Sequence, residues 1–138
     1  MAGYSETPLA KKLGIKEGFC IALVNAPRGF RNELKLQQGR VSLDKDSNET
    51  VDLILFFAKT RSALSKDFAK LASRLAPAGM LWVAWPKKAS GVTTDLSFDK
   101  VQKIGLAAGL VDTKICAVSE VWSGLRFVIR VKDRPAAS

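Results

Sequence analysis

The sequence predicts a three-layer α/β fold, in which helices cover both faces of a sheet of about six strands, mostly parallel. Short apolar runs of strand length alternate with segments whose apolar residues recur at helical spacing. Runs that are apolar throughout are typical of parallel strands buried on both faces. The last two runs are too close together for a crossover helix, so they predict a C-terminal antiparallel hairpin.

The first half of the chain predicts a helical lead-in followed by two buried strands. Within the lead-in of residues 1–17, Thr7-Pro8 begins a helix and Gly14 ends it. Residues 19–24 and 51–57 are the two buried strands. The segments between them are a turn at residues 25–29, a helix at 30–38, a brief strand at 41–43 and a polar loop at 44–50.

A second helix and a third buried strand follow. Thr60 or Ser62 caps the helix, and residues 76–79 break it before the strand at residues 80–85. The helix carries an apolar stripe of Leu64, Phe68, Leu71 and Leu75, with Lys66, Lys70 and Arg74 on its outer face. Trp82 and Trp85, three residues apart in the strand, point to opposite faces of the sheet.

The remaining residues predict one more helix and the hairpin. The helix is capped by Thr93 or Thr94, carries Leu96, Val101, Ile104 and Ala108, and ends at Gly109. The hairpin pairs residues 110–118 with 125–131 through a turn at 119–124, and residues 134–138 form a flexible tail.

Composition limits the classes of protein. A chain of 138 residues, 47% hydrophobic and 25% charged, is expected to form a single globular domain over residues 1–138. The absence of histidine excludes Ser-His-Asp and Cys-His nucleophiles, and two cysteines cannot form a four-cysteine zinc site. No apolar run is long enough to span a membrane, and no secretory signal is evident, so we expect a cytoplasmic protein.

The net charge of +9 predicts attraction to nucleic acid, phosphorylated metabolites or acidic proteins. The last strand offers one route, because Arg126, Arg130 and Lys132 share a face opposite the apolar residues of the same strand. Charges on a peripheral strand also prevent edge-to-edge aggregation, so both interpretations remain open.

Candidate ligand-binding residues follow the buried strands, because open α/β sheets bind ligands outside the carboxyl ends of their parallel strands. These residues are Asn25, Arg28, Gly29, Lys59, Trp85, Lys87, Lys88, Ser90 and, from the hairpin turn, Trp122. The cations and the flexible loop predict a site for a phosphate or nucleotide, and the alternative is a solvated basic loop. Trp85 and Trp122 could stack on a planar ring or simply pack against the sheet.

Three segments resemble the class I S-adenosylmethionine methyltransferase fold, which is Rossmann-like. They are Leu13-Gly14-Ile15-Lys16-Glu17-Gly18, the strand beginning Val51-Asp52, and Leu75-Ala76-Pro77-Ala78-Gly79-Met80-Leu81. The cofactor motif departs from that family, because Leu23 stands in place of an acid and Asn25 and Pro27 stand in place of glycines. Asp44 lies where the resemblance would place a ribose-binding acid. We therefore disfavour S-adenosylmethionine and predict no cofactor and no metal.

The KLG-x-K-x-G opening and Trp122-Ser123-Gly124-Leu125-Arg126 are similar to a family of small bacterial proteins, a domain of unknown function. No catalytic set emerges from the residues, and whether the chain is an enzyme stays open. We predict a non-catalytic binding or regulatory domain whose basic crevice takes a small anionic molecule or an acidic protein. The alternatives are a divergent methyltransferase-like enzyme and a nucleic-acid-associated protein.

Overall fold

The apolar runs of the sequence form the middle of one mixed β-sheet. The computed structural model describes residues 9–16, 18–30, 40–42 and 49–134. In chain order the elements are α1 (Leu9–Leu13), β1 (Cys20–Val24), β2 (Arg40–Ser42), β3 (Val51–Phe57), α2 (Arg61–Ala72), β4 (Leu75–Pro86), α3 (Phe98–Ala107), β5 (Leu110–Ala117) and β6 (Trp122–Ile129). Short 3-10 helices lie at Lys88–Ser90 and Val131–Asp133.

The strand order in the sheet is β2-β1-β3-β4-β6-β5. The pairings among β2, β1, β3 and β4 are parallel, whereas β6 is antiparallel to both of its neighbours, β4 and β5. The α/β class and the antiparallel C-terminal hairpin are therefore confirmed. The expectation of a mostly parallel sheet needs correction, because the hairpin inserts its second strand beside β4 and makes the sheet mixed.

Each face of the sheet has its own apolar core. On one face, α2 and α3 contribute Leu64, Phe68 and Val101 to a cluster that includes Trp85. On the other face, Leu13 of α1 packs in a cluster that includes Trp82. The two tryptophans thus lie on opposite faces, as their spacing predicts. Among the described helices, none is long and apolar enough to cross a membrane.

The N-cap of α2 agrees with the sequence prediction, whereas two details of β4 differ from it. Thr60 caps α2 by accepting a hydrogen bond from the amide of Ala63 at 3.1 Å, as one of the two predicted caps. Leu75 does not extend the helical stripe, because it is the first residue of β4. Residues 76–79, predicted as a break before the strand, lie within β4 as an irregularity in its pairing with β3.

Arg74 is buried and does not lie on the outer face of α2. Its side chain is only 3% exposed. Its Nε donates to the carbonyl of Glu49 at 3.0 Å, and its own carbonyl accepts from the amide of Val51 at 2.8 Å. Arg74 therefore joins the end of α2 to the start of β3.

The predicted N-cap of α3 is wrong. Ser97, not Thr93 or Thr94, is the N-cap of α3, and its hydroxyl accepts from the amide of Lys100 at 3.5 Å. The Thr94 hydroxyl is committed elsewhere, because it donates to the carbonyl of Lys59 at 2.6 Å and accepts from the amide of Leu96 at 3.0 Å. Gly109 follows α3 with a φ of 91°, as expected for a helix end.

The last strand begins and ends earlier than predicted, because β6 includes residues 122–124 of the predicted turn. β6 ends at Ile129, and Val131 lies in a 3-10 helix with its side chain 77% exposed. Predictions that fall on residues 1–8, 31–39, 43–48 and 135–138, including the helix over 30–38 beyond its first residue and the role of Asp44, lie outside the described residues.

Candidate ligand-binding site

Four strands meet at one edge of the sheet. β1, β3 and β4 are parallel and end there, and β6 begins there because Pro86 of β4 pairs with Trp122. The amide of Ala58, just after β3, also donates to the carbonyl of Ala84 at 2.9 Å. This edge therefore brings together the residues that follow β1 and β3 with the first residue of β6.

A cavity of about 310 Å³ opens at this edge and is called here the Trp122 cavity. It is lined by Asn25, Phe57, Ala58, Lys59, Thr60, Ala63 and Trp122. Of the sequence candidates, Asn25, Lys59 and Trp122 thus share one site. An adjacent cavity of about 180 Å³ is lined by Pro27, Arg28, Phe30, Ser119, Val121 and Trp122. Trp122 forms part of both walls, and Arg28 belongs to the smaller cavity.

Aromatic rings form one side of the Trp122 cavity. The ring centroids of Phe57 and Trp122 are 5.0 Å apart with their planes at 87°. Phe30 makes a second edge-to-face contact with Phe57, at 4.9 Å and 72°. Edge-to-face pairs of this geometry are favourable beyond their buried area. Because Phe30 and Phe57 are buried, they hold the half-buried Trp122 ring in place.

The polar side of the cavity is the start of α2. The exposed Lys59 precedes it, and the hydrogen bond from Thr94 to the Lys59 carbonyl fixes the backbone there. The first-turn amides of α2 are partly used, because Ala63 donates to Thr60 and Arg61 donates to Oδ1 of Asp95 at 2.7 Å. The Thr60 hydroxyl keeps its own proton available to a ligand. Lys59, Thr60 and the start of α2, with its partial positive charge, therefore border the same space.

The turn after β1 uses left-handed backbone at two positions. Asn25 has a φ of 57° and Gly29 a φ of 81°. Asparagine tolerates this conformation better than other residues that carry a side chain. The backbone thus follows a path usual for glycine, while the Asn25 side chain lines the Trp122 cavity.

Other sequence candidates do not line either of these cavities. Lys88 and Ser90 lie in a 3-10 helix, where the Ser90 hydroxyl donates to the carbonyl of Lys87 at 2.6 Å and accepts from Val92. Lys87 reaches this edge only through its backbone, whose amide donates to the carbonyl of Val121 at 2.7 Å. The Ser90 hydroxyl is therefore committed to its own loop.

The prediction that Trp85 could stack on a ligand is wrong. Its side chain is 5% exposed and lies in the cluster beneath α2 and α3. It is therefore a core residue and is not available to stack on a ligand.

Sequence reasoning missed Thr60 and Ala63 as wall residues, and it placed Phe57 at this edge without naming it as a site residue. Their signal was available, because the residue following a parallel strand and the first turn of the next helix share the ligand-binding edge. Phe30 and Val121 gave no such signal, since only the fold places them beside Trp122.

No acid or thiol side chain is among the residues that line these two cavities. Asp52 accepts from the amide of Cys20 at 2.8 Å near the opposite ends of the strands. Burial raises the pKa of the Cys116 thiol, although Lys12, Lys114 and Arg126 act in the other direction. Within the described part of the chain, no group of three His, Cys, Asp or Glu residues could hold a metal ion.

The mixed sheet, with its antiparallel strand beside the edge strand, defines an α/β protein of the Rossmann-like, methyltransferase-like class. A SAM-dependent methyltransferase from Aquifex aeolicus has a similar structure, with a TM-score of 0.64 over 86% of each chain at 18% identity. The chain itself belongs to the DUF3052 family, described as "Protein of unknown function", which matches residues 10–131. No curated protein matches the chain.

Two further solved structures share the fold. A ribosomal protein L11 methylase from Lactobacillus delbrueckii subsp. bulgaricus has a TM-score of 0.59 and 11% identity over 88% of this chain and 74% of its own. Magnesium protoporphyrin IX methyltransferase from Synechocystis PCC 6803, with bound SAH, has a TM-score of 0.57 and 12% identity over 82% of this chain and 75% of its own. At these identities the likeness establishes the fold alone.

Proposed function

We propose that this protein is a binding or regulatory domain whose Trp122 cavity takes a small anionic ligand with a planar ring, such as a nucleotide. The observation that carries the proposal is the pairing of an aromatic wall with Lys59 around one cavity. A planar ring can stack on or against Trp122, and the ammonium of Lys59 can meet a phosphate or carboxylate.

Electrostatics support an anion in this position. The net charge of +9 raises the local concentration of anions around the whole protein. The start of α2 adds a partial positive charge, which the Asp95 carboxylate offsets in part by accepting from Arg61. Lys59 is therefore the group on which we expect the anion to depend most.

The lining residues favour binding over catalysis. Their polar side chains are an amide, an ammonium and a hydroxyl, from Asn25, Lys59 and Thr60. These groups recognise a ligand, but they include no carboxylate, thiol or imidazole to exchange a proton with it near neutral pH.

A divergent methyltransferase-like activity is the second candidate. It is favoured by the positive φ of Asn25 and Gly29, which follows a glycine-like path after β1. The residues fit S-adenosylmethionine poorly, because Leu23 is buried where the family carries an acid and Pro27 supplies no amide donor. We therefore disfavour this cofactor.

Titration separates the two candidates. Tryptophan fluorescence is followed while adenosine monophosphate, inorganic phosphate or S-adenosylmethionine is added to the wild type. We expect adenosine monophosphate to bind more tightly than phosphate, because only the nucleotide uses the aromatic wall. Lys59→Gln should weaken its binding about three- to tenfold, since the exposed ammonium is partly screened.

The matched control is Lys66→Gln, which removes the same charge from an exposed position on α2 outside the cavity lining. It should leave the nucleotide affinity unchanged. Equal losses in both variants would mean that net charge alone attracts the ligand. Binding of S-adenosylmethionine that is lost in Asn25→Ala would support the second candidate.

A further inference from the structure

A second cationic site lies where α1 crosses the C-terminal hairpin. It consists of Lys12 from α1, Lys114 from β5 and Arg126 from β6, and is called here the cationic cluster. Lys114 and Arg126 are partners across β5 and β6, Lys12 donates to the carbonyl of Ala117 on β5, and Gly14, just after α1, lies beside the Arg126 guanidinium. None of these residues lines the Trp122 cavity, so this cluster goes beyond the proposed function.

Hydrogen bonds and stacking hold two of the three cations in fixed positions. The Nζ of Lys12 donates to the carbonyl of Ala117 at 3.2 Å. The Nε of Arg126 donates to Oγ1 of Thr113 at 2.9 Å, and its guanidinium lies 5.8 Å from the ring centroid of Trp82. Lys12 and Arg126 are therefore preorganised, which lowers the entropic cost of meeting an anion.

The arrangement of these cations does not favour folding. Lys114 and Arg126 are direct partners across β5 and β6, and like charges directly opposite each other destabilise a sheet. Among the hydrogen bonds of the described residues, the cluster's side chains donate to carbonyl, hydroxyl and thioether groups, and to no carboxylate. Two phosphates or similar anions would relieve this repulsion.

We infer that the cationic cluster is a docking surface for the phosphate backbone of duplex nucleic acid. An acidic protein is less favoured, because stable protein interfaces depend on exposed aromatic and apolar anchors. Of the large apolar neighbours of Arg126, Trp82 is fully buried and Met80 is half-buried with its sulfur against the guanidinium. A single strand is less favoured because its bases need exposed rings for stacking, whereas Trp82 is fully buried. Backbone contacts alone make such binding independent of sequence.

The structure also revises the basic stripe that the sequence suggests. Arg126, Arg130 and Lys132 do not form one row along a strand, because β6 ends at Ile129 and Lys132 lies beyond it in a 3-10 helix. The neighbours of Arg126 in space are Lys114 and Lys12.

Fluorescence anisotropy with labelled DNA duplexes tests the inference. Two duplexes of unrelated sequence, each of about 20 base pairs, are titrated between about 50 and 200 mM salt. We expect equal affinities for both, falling steeply as salt rises. The double variant Lys12→Gln/Lys114→Gln should bind more weakly and reduce the slope of log affinity against log salt by about 2.

The matched control is Lys66→Gln/Lys103→Gln, which removes the same charge from exposed positions on α2 and α3. It should change the slope little. An equal change in both double variants, or no binding by the wild type at low salt, would overturn the inference. Tighter binding to polyglutamate than to the duplex would also overturn it, in favour of an acidic protein. Thermal melting of each variant checks that it is folded.

Discussion

Gly105 is the residue that lets α3 lie close against the sheet. A Cβ at this position would overlap the ring of Phe127, which is fully buried on β6 and packs edge-to-face with Phe68 of α2 at 5.4 Å. The missing side chain therefore positions α3 over the same cluster that contains Trp85.

Gly105→Ala should destabilise the protein although alanine is the better helix former. Overpacking a core costs about 1 to 3 kcal/mol, against a helical gain of about 0.5 to 1 kcal/mol. Urea denaturation measures the net loss. Lys103→Ala, exposed on the same helix, serves as control and should stay within about 0.5 kcal/mol of wild type. A Gly105→Ala variant as stable as wild type would contradict this packing.

Because of the Cys116 thiol, the free energy of unfolding should change with pH in the alkaline range. Burial raises its pKa in the folded state, so the unfolded chain releases the proton first as pH rises. The stabilisation from the neutral buried thiol is present below about pH 8.5, the ordinary thiol value, and is lost as pH rises through the folded pKa. The stability difference between wild type and Cys116→Ser should therefore be constant at neutral pH and change above it. A difference that is flat through pH 10 would contradict the raised pKa.

At the scale of elements, a buried hydrogen bond helps to hold α1 in place. The indole Nε1 of Trp82 donates to the carbonyl of Leu13, the last residue of α1, at 2.9 Å. Leu13 itself is fully buried in the cluster beneath α1. A helix of five residues is too short to be stable alone, so its position depends on this docking.

Trp82→Phe should loosen α1, because it leaves the Leu13 carbonyl without its donor. An unsatisfied buried acceptor costs about 1 to 3 kcal/mol. Hydrogen exchange should then accelerate at the amides of Gly14 and Ile15, which donate to α1 carbonyls. Amides of α2, on the opposite face, provide the internal control and should change only with global stability. Unchanged exchange at both positions would mean that Leu13 packing alone holds α1.

The sequence predicted the bounds of β3 correctly, but it did not predict the N-cap of α3. Residues 51–57 form a strand over the predicted bounds, because this run, apolar except for Asp52, has strand length and suits a strand with both faces covered. Thr94 and Ser97 both have capping hydroxyls, and the sequence cannot decide between them. The choice depends on the Lys59 carbonyl, which takes the Thr94 hydroxyl and is brought near only by the fold.

At the scale of the molecule, the sequence predicted the edge of the sheet at which the candidate residues gather, but not which side chains share a cavity. Asn25, Lys59 and Trp122 meet there because β1, β3 and β6 are brought to one edge by the strand order. Trp85 does not line this cavity, because the alternation of side chains along β4 places it in the core beneath α2 and α3. The cationic cluster was beyond prediction, since Lys12 and Arg126 come from opposite ends of the chain.

The indole resonances of the three tryptophans provide the most direct test of the proposed ligand site. Adenosine monophosphate is titrated into the uniformly nitrogen-15 labelled protein, and the indole N–H signals are followed. We predict a saturable shift of the Trp122 signal, with the buried Trp82 and Trp85 signals nearly unchanged. In Lys59→Gln, the same shift should need about three to ten times more nucleotide. A Trp122 signal that does not move at millimolar nucleotide, or moves equally in Lys59→Gln, would contradict the account.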